Sequence, residues 1–229
     1  MSIVKRLAEV KEQLAIASQS AGREPGEVEL LTVSKTFPAS EVAKAISAGQ
    51  SSFGENRVQE ALEKQALLPK ELQWHLIGPL QRNKVRKVVG QFTCLQGIDS
   101  LKLATAVNRV AAELEVVQPI LLQVRIGGEA TKSGFEPQAL LESISELAGL
   151  SSIAIQGLMT IPPPVSNPDE ARPYFSATRH LRDQLATESG LSLPQLSMGM
   201  SGDYQVAISE GSTMVRVGSA IFGSREKTF

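Results

Sequence analysis

The chain has few of the residues that most often build disulfides and metal sites. Its 229 residues include one cysteine and two histidines. A single cysteine, Cys94, excludes an internal disulfide and a cysteine-based metal site, and its apolar surroundings predict a small core residue. His75 and His180 fall on different predicted elements, and His180 lies among charges on a solvated helix face. No metal site is therefore predicted.

Net charge is nearly absent as well. The chain has 23 Lys and Arg against 24 Asp and Glu, which gives a formal charge of -1. This balance provides no overall attraction to nucleic acid or to an anionic membrane. The basic run Gln81–Lys87 has no interleaved aromatic residues, so a solvated helix face is predicted there. We expect no nucleic-acid partner.

Long apolar runs are missing too. Hydrophobic residues make up 42% of the chain and charged residues 21%, which is typical of an ordinary globular protein. No stretch is long enough to span a bilayer. The N-terminal stretch Val4–Ala17 alternates charged and apolar positions, unlike the apolar run of a secretory signal. We therefore expect a cytoplasmic protein that does not enter the membrane.

The sequence does contain a repeated alternation of strand-like and helix-like segments. Strands are predicted at Glu29–Ser34, Ser51–Phe53, Gln73–Ile77, Phe92–Gln96, Pro119–Arg125, Ile153–Met159, Gln195–Ser197 and Met214–Val217. After an amphipathic N-terminal helix, helices are predicted at Ser40–Ala48, Arg57–Leu67, Asn83–Val88, Ser100–Glu115, Pro137–Ala148, Pro168–Ser189 and Tyr204–Ser209. Eight strands joined by helical crossovers are parallel and favour a (β/α)8 barrel, with an open doubly wound sheet as the alternative.

No change of composition divides the chain into domains. The proline run Pro162–Pro164 predicts a rigid loop between a strand and a long helix, not a domain linker. Residues 1–229 are therefore predicted to form a single domain. In a barrel of this kind, functional residues gather at the C-terminal ends of the strands.

Lys35 follows the first predicted strand, which is apolar and rich in β-branched residues. A half-buried amine there is a candidate for bonding to an aldehyde, because desolvation favours its uncharged, nucleophilic form. The alternative is a surface lysine that caps the strand and extends to water. Asn56, His75 and Met159 also fall near predicted strand ends, although His75 could equally be a hydrogen-bonded core histidine.

Two glycine-rich segments follow the last two strands. Ser197–Asp203 and Arg216–Ala220 each lead into a short helix, and their small residues, main-chain amides and serine hydroxyls suit a phosphate. Barrels often hold phosphate at these two loops. Asp203 is interpreted as a first-turn residue that interacts with the helix dipole, not as a catalytic acid. No nucleophile and base are arranged for serine or cysteine hydrolysis.

Seven longer motifs, spread over nearly the whole chain, carry a resemblance to a known family. They are VSKTFP, FGENRVQE, WHLIGPLQRNK, KSGF, GLMTIPP, SMGMSGD and GSTMVRVGSAIFG. Their content and order resemble the YggS/PROSC family of pyridoxal 5′-phosphate homeostasis proteins. The resemblance implies a single barrel similar to the N-terminal, fold-type III barrel of alanine racemase, with an extra N-terminal helix.

The same resemblance implies pyridoxal 5′-phosphate (PLP) as the cofactor, held as an internal imine on Lys35. Asn56 is expected against the ring and Arg216 facing the pyridine nitrogen. The residues expected around the phosphate are Ser201, Gly202, Gly218 and Ser219. His75 and Met159 complete the expected cofactor-binding set, and no catalytic residue is expected.

The type of residue facing the pyridine nitrogen separates two functions. A guanidinium has donors alone, so a ring nitrogen facing Arg216 must be unprotonated, which weakens the ring as an electron sink.

Beyond Gly223, residues 224–229 are too few for the second domain of a racemase, and Tyr174 and Tyr204 are the only tyrosines. We therefore expect a monomeric carrier in vitamin B6 and amino-acid balance. Its expected partners are PLP, other B6 vitamers, amino acids and PLP-dependent client enzymes; a racemase-like amino-acid enzyme is the alternative.

Overall fold

A computed structural model describes residues 1–127 and 133–223. Within these residues, eight parallel strands pair in chain order, and the last pairs with the first to close a barrel. The predicted (β/α)8 barrel is thus confirmed, and the open sheet is excluded. Lys132 of the KSGF motif and residues 224–229 lie outside the described residues.

The strands alternate with helices along the described chain. The strands are β1 Glu29–Val33, β2 Ser52–Glu55, β3 Gln73–Leu76, β4 Cys94–Ile98, β5 Gln118–Val124, β6 Ile153–Thr160, β7 Gln195–Met200 and β8 Met214–Val217. The helices are α1 Ile3–Ser20, α2 Ala39–Ser47, α3 Val58–Leu67, α4 Val85–Val88, α5 Leu101–Glu113, α6 Pro137–Ala148, α7 Arg172–Ser189, α8 Tyr204–Ser209 and α9 Ser219–Phe222. Short 3₁₀ turns, Arg82–Lys84 and Pro168–Ala171, precede α4 and α7.

The N-terminal helix α1 packs against α2, α8 and α9. The Ser2 side chain accepts a hydrogen bond from the Lys5 amide, which caps the start of the helix. Apolar residues recur every three or four positions and form the buried face of the helix. Arg6 donates to the carbonyls of Ile221 and Phe222, so α1 also fixes the end of α9.

Side chains alternate between the two faces of each strand. Outward residues such as Leu30, Trp74 and Val215 join the large apolar core under the helices. Inward residues fill the barrel with two smaller apolar clusters. These clusters are Leu31, Val33, Ile77 and Met214, and Cys94, Leu121 and Met159. Polar side chains complete the interior, as described below.

Several predicted boundaries were wrong. Strand β2 extends through Glu55, β4 begins two residues late at Cys94, and β7 continues to Met200. Residues 198–200, predicted as loop, are therefore strand. The helix predicted from Pro168 begins as a 3₁₀ turn and becomes α-helical at Arg172.

The predicted exposure of His180 and of the basic run is confirmed. His180 is exposed on α7, and the Gln81–Lys87 run is exposed apart from Val85, which packs inward. Cys94 is buried. No helix in the described part of the chain is both long and apolar enough to cross a bilayer.

Candidate functional site

A cavity of about 400 Å³ opens at the C-terminal ends of the strands. We call it the Lys35 cavity; its lining consists of Val33, Lys35, Phe37, Asn56, Ile77, Ile161, Met200, Ser201, Gly202, Arg216, Gly218, Ser219 and Gly223. Seven of the nine predicted site residues thus meet in one place. The two that are not among the lining residues are His75 and Met159.

Lys35 lies in the turn after β1 and is half-buried. The next residue, Thr36, has a φ of 71°, a left-handed conformation that turns the chain sharply beyond the strand. The ring of Phe37 then stacks on Phe222 of α9, with centroids 4.8 Å apart. The turn that carries Lys35 is therefore packed against α9, the helix that follows β8.

Asn56 reaches the cavity because the exits of β2 and β3 approach each other closely. A Cβ at Gly78 would lie 2.2 Å from the carbonyl oxygen of Asn56, so this approach requires glycine. The exits of β1 and β8 also approach each other closely, since a Cβ at Gly218 would lie 3.0 Å from the Val33 carbonyl oxygen.

The side chain of Ser201 joins the two glycine-rich loops. Its Oγ accepts from the amides of Gly218 and Ala220, at 3.3 and 3.4 Å. The strands before these loops pair at Met200 and Arg216. The predicted meeting of the β7 and β8 exits is thus observed, with Ser219 exposed beside them.

Asp203 differs from its predicted position. It is the residue before the first turn of α8, and its side chain makes no capping hydrogen bond to that helix. One carboxylate oxygen instead accepts from the amide of Met200, at 2.6 Å, and closes the turn after β7. Burial raises the pKa of Asp203, while the Met200 amide and nearby Arg216 oppose that shift.

Arg216 is buried at the base of the cavity, where it connects three strands. Its Nη1 donates to the main-chain oxygen and the Oγ of Ser197, at 2.6 and 2.8 Å, and its Nη2 donates to the Thr160 oxygen at 2.8 Å. Burial lowers the pKa of Arg216 to about 10, against the attraction of Asp203. The guanidinium is therefore still protonated at neutral pH.

A chain of hydrogen bonds runs from Arg216 into the barrel, and its direction is fixed. Because arginine has donors alone, Ser197 Oγ accepts from it and gives its own hydrogen to Gln96 Oε1, 2.7 Å away. The Gln96 amide nitrogen then faces His75 Nδ1 at 2.9 Å. Nδ1 must accept that bond, so the proton of neutral His75 lies on Nε2.

His75 and Met159 thus lie inside the barrel, apart from the lining of the Lys35 cavity. His75 is 4% exposed, and burial lowers its pKa to about 4. Met159 packs against Cys94 and Leu121. No group of three or more His, Cys, Asp or Glu side chains within residues 1–127 and 133–223 could hold a metal ion.

Sequence reasoning missed the residues that support the site from below. Gln96 and Ser197 are ordinary polar residues on strands, and only the barrel closure reveals that they join His75 to Arg216. The apolar lining residues were missed as well. Ile77 and Ile161 could have been found from their positions just after β3 and β6.

A larger cavity of about 850 Å³ adjoins the first. The two share Asn56, Ile77, Ile161, Met200 and Gly202. Its outer wall includes Pro162–Pro164, the rigid loop predicted from the sequence. A ligand in the Lys35 cavity would therefore have open space beside it.

Comparison with known proteins agrees with this geometry. The profile "Alanine racemase, N-terminal domain" matches residues 6–226. The pyridoxal phosphate homeostasis protein of Aquifex aeolicus is 43% identical over 227 residues, which cover 99% of this chain and 100% of that protein. PipY of Synechococcus elongatus PCC7942, solved with PLP bound, is 39% identical with a TM-score of 0.87, covering 97% of this chain and 100% of PipY. Alanine racemase from Corynebacterium glutamicum has a TM-score of 0.71 at 22% identity, over 96% of this chain and 61% of that enzyme.

The fold is therefore that of the alanine racemase N-terminal barrel, with a lysine and two small-residue loops at its C-terminal edge. Within that class, the chain belongs to the YggS/PROSC family of pyridoxal phosphate homeostasis proteins.

The buried imidazole of His75 predicts an acid-sensitive contribution to stability. Its pKa is about 4 when folded against 6.5 ordinarily, so the neutral form is favoured by folding. The contribution is complete above pH 6.5 and is lost as pH falls through 4, amounting to roughly 3 kcal/mol. Free energies of unfolding measured by urea titration from pH 7.5 to 4 should fall less steeply for His75→Gln than for wild type. Equal slopes would contradict this prediction.

Proposed function

We propose that this chain binds PLP in the Lys35 cavity and serves PLP homeostasis as a carrier. The observation that supports this best is the convergence of an amine, a guanidinium and two loops bridged by Ser201 on one cavity. The bound PLP of PipY and the names of the relatives point in the same direction. A cavity of about 400 Å³ is of the size that small cofactors occupy.

The chain's residues fit the two ends of this cofactor. PLP supplies a reactive aldehyde and a phosphate when it is bound. The Lys35 nitrogen would bond to the aldehyde carbon, forming a C=N bond with loss of one water. The Ser201 oxygen already accepts from two amides, which leaves its hydrogen for a phosphate oxygen. Gly202, Gly218 and Ser219 would let the phosphate approach closely.

The surroundings of Arg216 favour a site that holds the cofactor over one that catalyses a reaction of a substrate. Three of its N–H groups are engaged by Ser197 and Thr160, and it remains a cation at neutral pH. Against the pyridine nitrogen it would donate, which keeps that nitrogen unprotonated and limits its capacity to withdraw electrons. Among the described residues, neither Tyr174 nor Tyr204 lines the Lys35 cavity as a second acid or base.

We place the carrier in the cytosol as a monomer that exchanges PLP with client enzymes and also meets other B6 vitamers and amino acids. His75 enters the proposed site as a support for Arg216, through Gln96 and Ser197, and Met159 as part of the barrel core; neither is proposed as a contact with the cofactor. The racemase-like function is retained as the alternative that turnover would reveal.

The covalent bond to Lys35 is tested by borohydride reduction. Protein incubated with PLP should turn yellow, and reduction should fix the cofactor on the peptide that contains Lys35, as read by mass spectrometry. Lys35→Ala should lose this label. Lys44→Ala removes an exposed lysine on α2 and should retain it. A label that persists in Lys35→Ala would contradict the assignment.

The phosphate end is tested by comparing two vitamers. Ser219→Asp places a carboxylate beside the loops, so PLP binding should weaken about tenfold or more while pyridoxal, which has no phosphate, is affected little. Ser47→Asp, at an exposed position on α2, serves as the matched control. Dissociation constants follow from absorbance titrations. Equal losses for both vitamers would remove the phosphate from these loops.

A turnover assay distinguishes the carrier function from the racemase-like alternative. General acid and base groups typically contribute about 10²–10⁴ each, so a cavity whose described lining offers no second acid or base should not exceed free PLP by much. Pure protein is incubated with L- and D-amino acids, and enantiomer conversion and product release are followed beside a free-PLP control. Sustained turnover far above that control, abolished in Lys35→Ala, would favour the racemase-like alternative.

A further inference from the structure

A buried charged cluster lies beneath the turn that carries Lys35. We call it the Lys64 cluster; it consists of Ser34, Glu55, Glu60 and Lys64. The side chains of Glu55 and Lys64 are 0% and 6% exposed, and that of Glu60 is 22% exposed. No residue of the cluster lines the Lys35 cavity. The cluster is therefore separate from the proposed cofactor contacts.

All three hydrogens of the Lys64 ammonium have an acceptor. Nζ lies 2.8 Å from the Ser34 carbonyl oxygen, 2.6 Å from Glu55 Oε1 and 2.8 Å from Glu60 Oε1. A lysine ammonium donates three bonds, so its capacity is used completely. One amine on α3 thus joins the end of β1, the end of β2 and its own helix.

The cluster holds the residues on both sides of Lys35. Before it, Ser34 is bound twice, since its carbonyl accepts from Lys64 and its Oγ donates to Glu55 Oε1 at 2.6 Å. After it, the amide of Thr36 donates to Glu60 Oε1 at 2.5 Å. Thr36 is also the residue with a φ of 71°, a conformation that a threonine seldom adopts unless its surroundings hold it there.

Stability alone does not account for charges in this position. Burying an ion pair costs desolvation that well-packed apolar side chains would avoid, and replacing such pairs is often neutral or stabilising. Glu55 shows that cost, because its Oε2 is buried without a hydrogen-bond partner in the described structure. What apolar residues could not supply is a set of directed bonds to the main chain beside Lys35.

We infer that Lys64, with Glu55 and Glu60, positions the Lys35 amine for covalent capture of an aldehyde ligand. The three side chains would act through the main chain at Ser34 and Thr36 and are positioning residues. The inference rests on the proposed function, since it concerns the bond between Lys35 and PLP. A displacement of about 1 Å in a reacting group can cost on the order of a hundredfold, so a fixed turn matters for the bond and little for a phosphate held elsewhere.

The test compares PLP with pyridoxine 5′-phosphate, which has an alcohol in place of the aldehyde and cannot form the C=N bond. Glu60→Ala removes the acceptor for the Thr36 amide, whereas Glu60→Gln keeps an oxygen there. Glu63→Ala, at an exposed position on the same helix, is the matched control because Glu63 binds Gln59 alone among the described contacts. Lys64→Met is the more severe variant, and thermal unfolding reports whether each variant folds.

For Glu60→Ala we expect the affinity for PLP and the rate of borohydride-fixed labelling to fall by about tenfold or more. Binding of pyridoxine 5′-phosphate, measured by calorimetry, should change less than about twofold, a difference small on the free-energy scale. Glu60→Gln and Glu63→Ala should behave as wild type. If Lys64→Met folds, it should show the same selective loss; if it does not fold, Glu60→Ala decides the outcome.

Two results would overturn the inference. A parallel loss of both ligands in Glu60→Ala would indicate a general structural role, and unchanged PLP capture would remove the cluster from positioning. Failure of the proposed function looks different: wild-type protein would then bind neither ligand, or would bind PLP without a label on Lys35. Either of these wild-type results contradicts both proposals. A parallel loss or unchanged capture in Glu60→Ala contradicts the positioning role alone.

Discussion

The interior of the barrel depends on a simple constraint: a guanidinium can donate hydrogen bonds but cannot accept them. Arg216 therefore determines the direction of each bond beneath it, through Ser197 and Gln96 to His75. It also joins β8 to the middle of β7 and to the end of β6 through the main-chain oxygens of Ser197 and Thr160. One side chain thus both orients the polar interior and joins β8 to β6 and β7.

The site rests on two polar networks of different character. Arg216 and its partners form a chain with a single charged end, which rises from the barrel centre to the base of the cavity. The Lys64 cluster lies between the sheet and α3 and contains both signs of charge. The two do not share a residue, so the base of the Lys35 cavity and the turn that carries Lys35 are supported independently.

The architecture could be predicted from sequence because strand and helix patterns alternate, and parallel strands bring their C-terminal ends to one edge. That rule alone places Lys35, Asn56 and both glycine-rich loops around one cavity. It does not reveal side-chain partners across the barrel. Gln96 and Glu55 occupy strands where a polar residue could face either side, and only the closed register shows that both are buried.

The misplaced end of β7 has a specific cause. The glycine-rich segment Ser197–Asp203 was predicted to follow the strand, yet Gly199 lies within β7 and has a φ of 94°. A Cβ there would lie 2.6 Å from the Cβ of Ala207, so the glycine permits α8 to pack directly on β7. A glycine chosen for close helix packing and one chosen for a turn have the same appearance in a sequence.

The bridge formed by Ser201 has a consequence for recognition. Because its hydroxyl oxygen already ties the two loops together at Gly218 and Ala220, their shape is established when the chain folds. Ordering a mobile loop around a ligand costs conformational entropy, and that cost is largely absent when the loops are joined beforehand. Discrimination between a phosphorylated molecule and its dephosphorylated counterpart at this edge would therefore arise from charge and hydrogen bonding, with little contribution from loop closure.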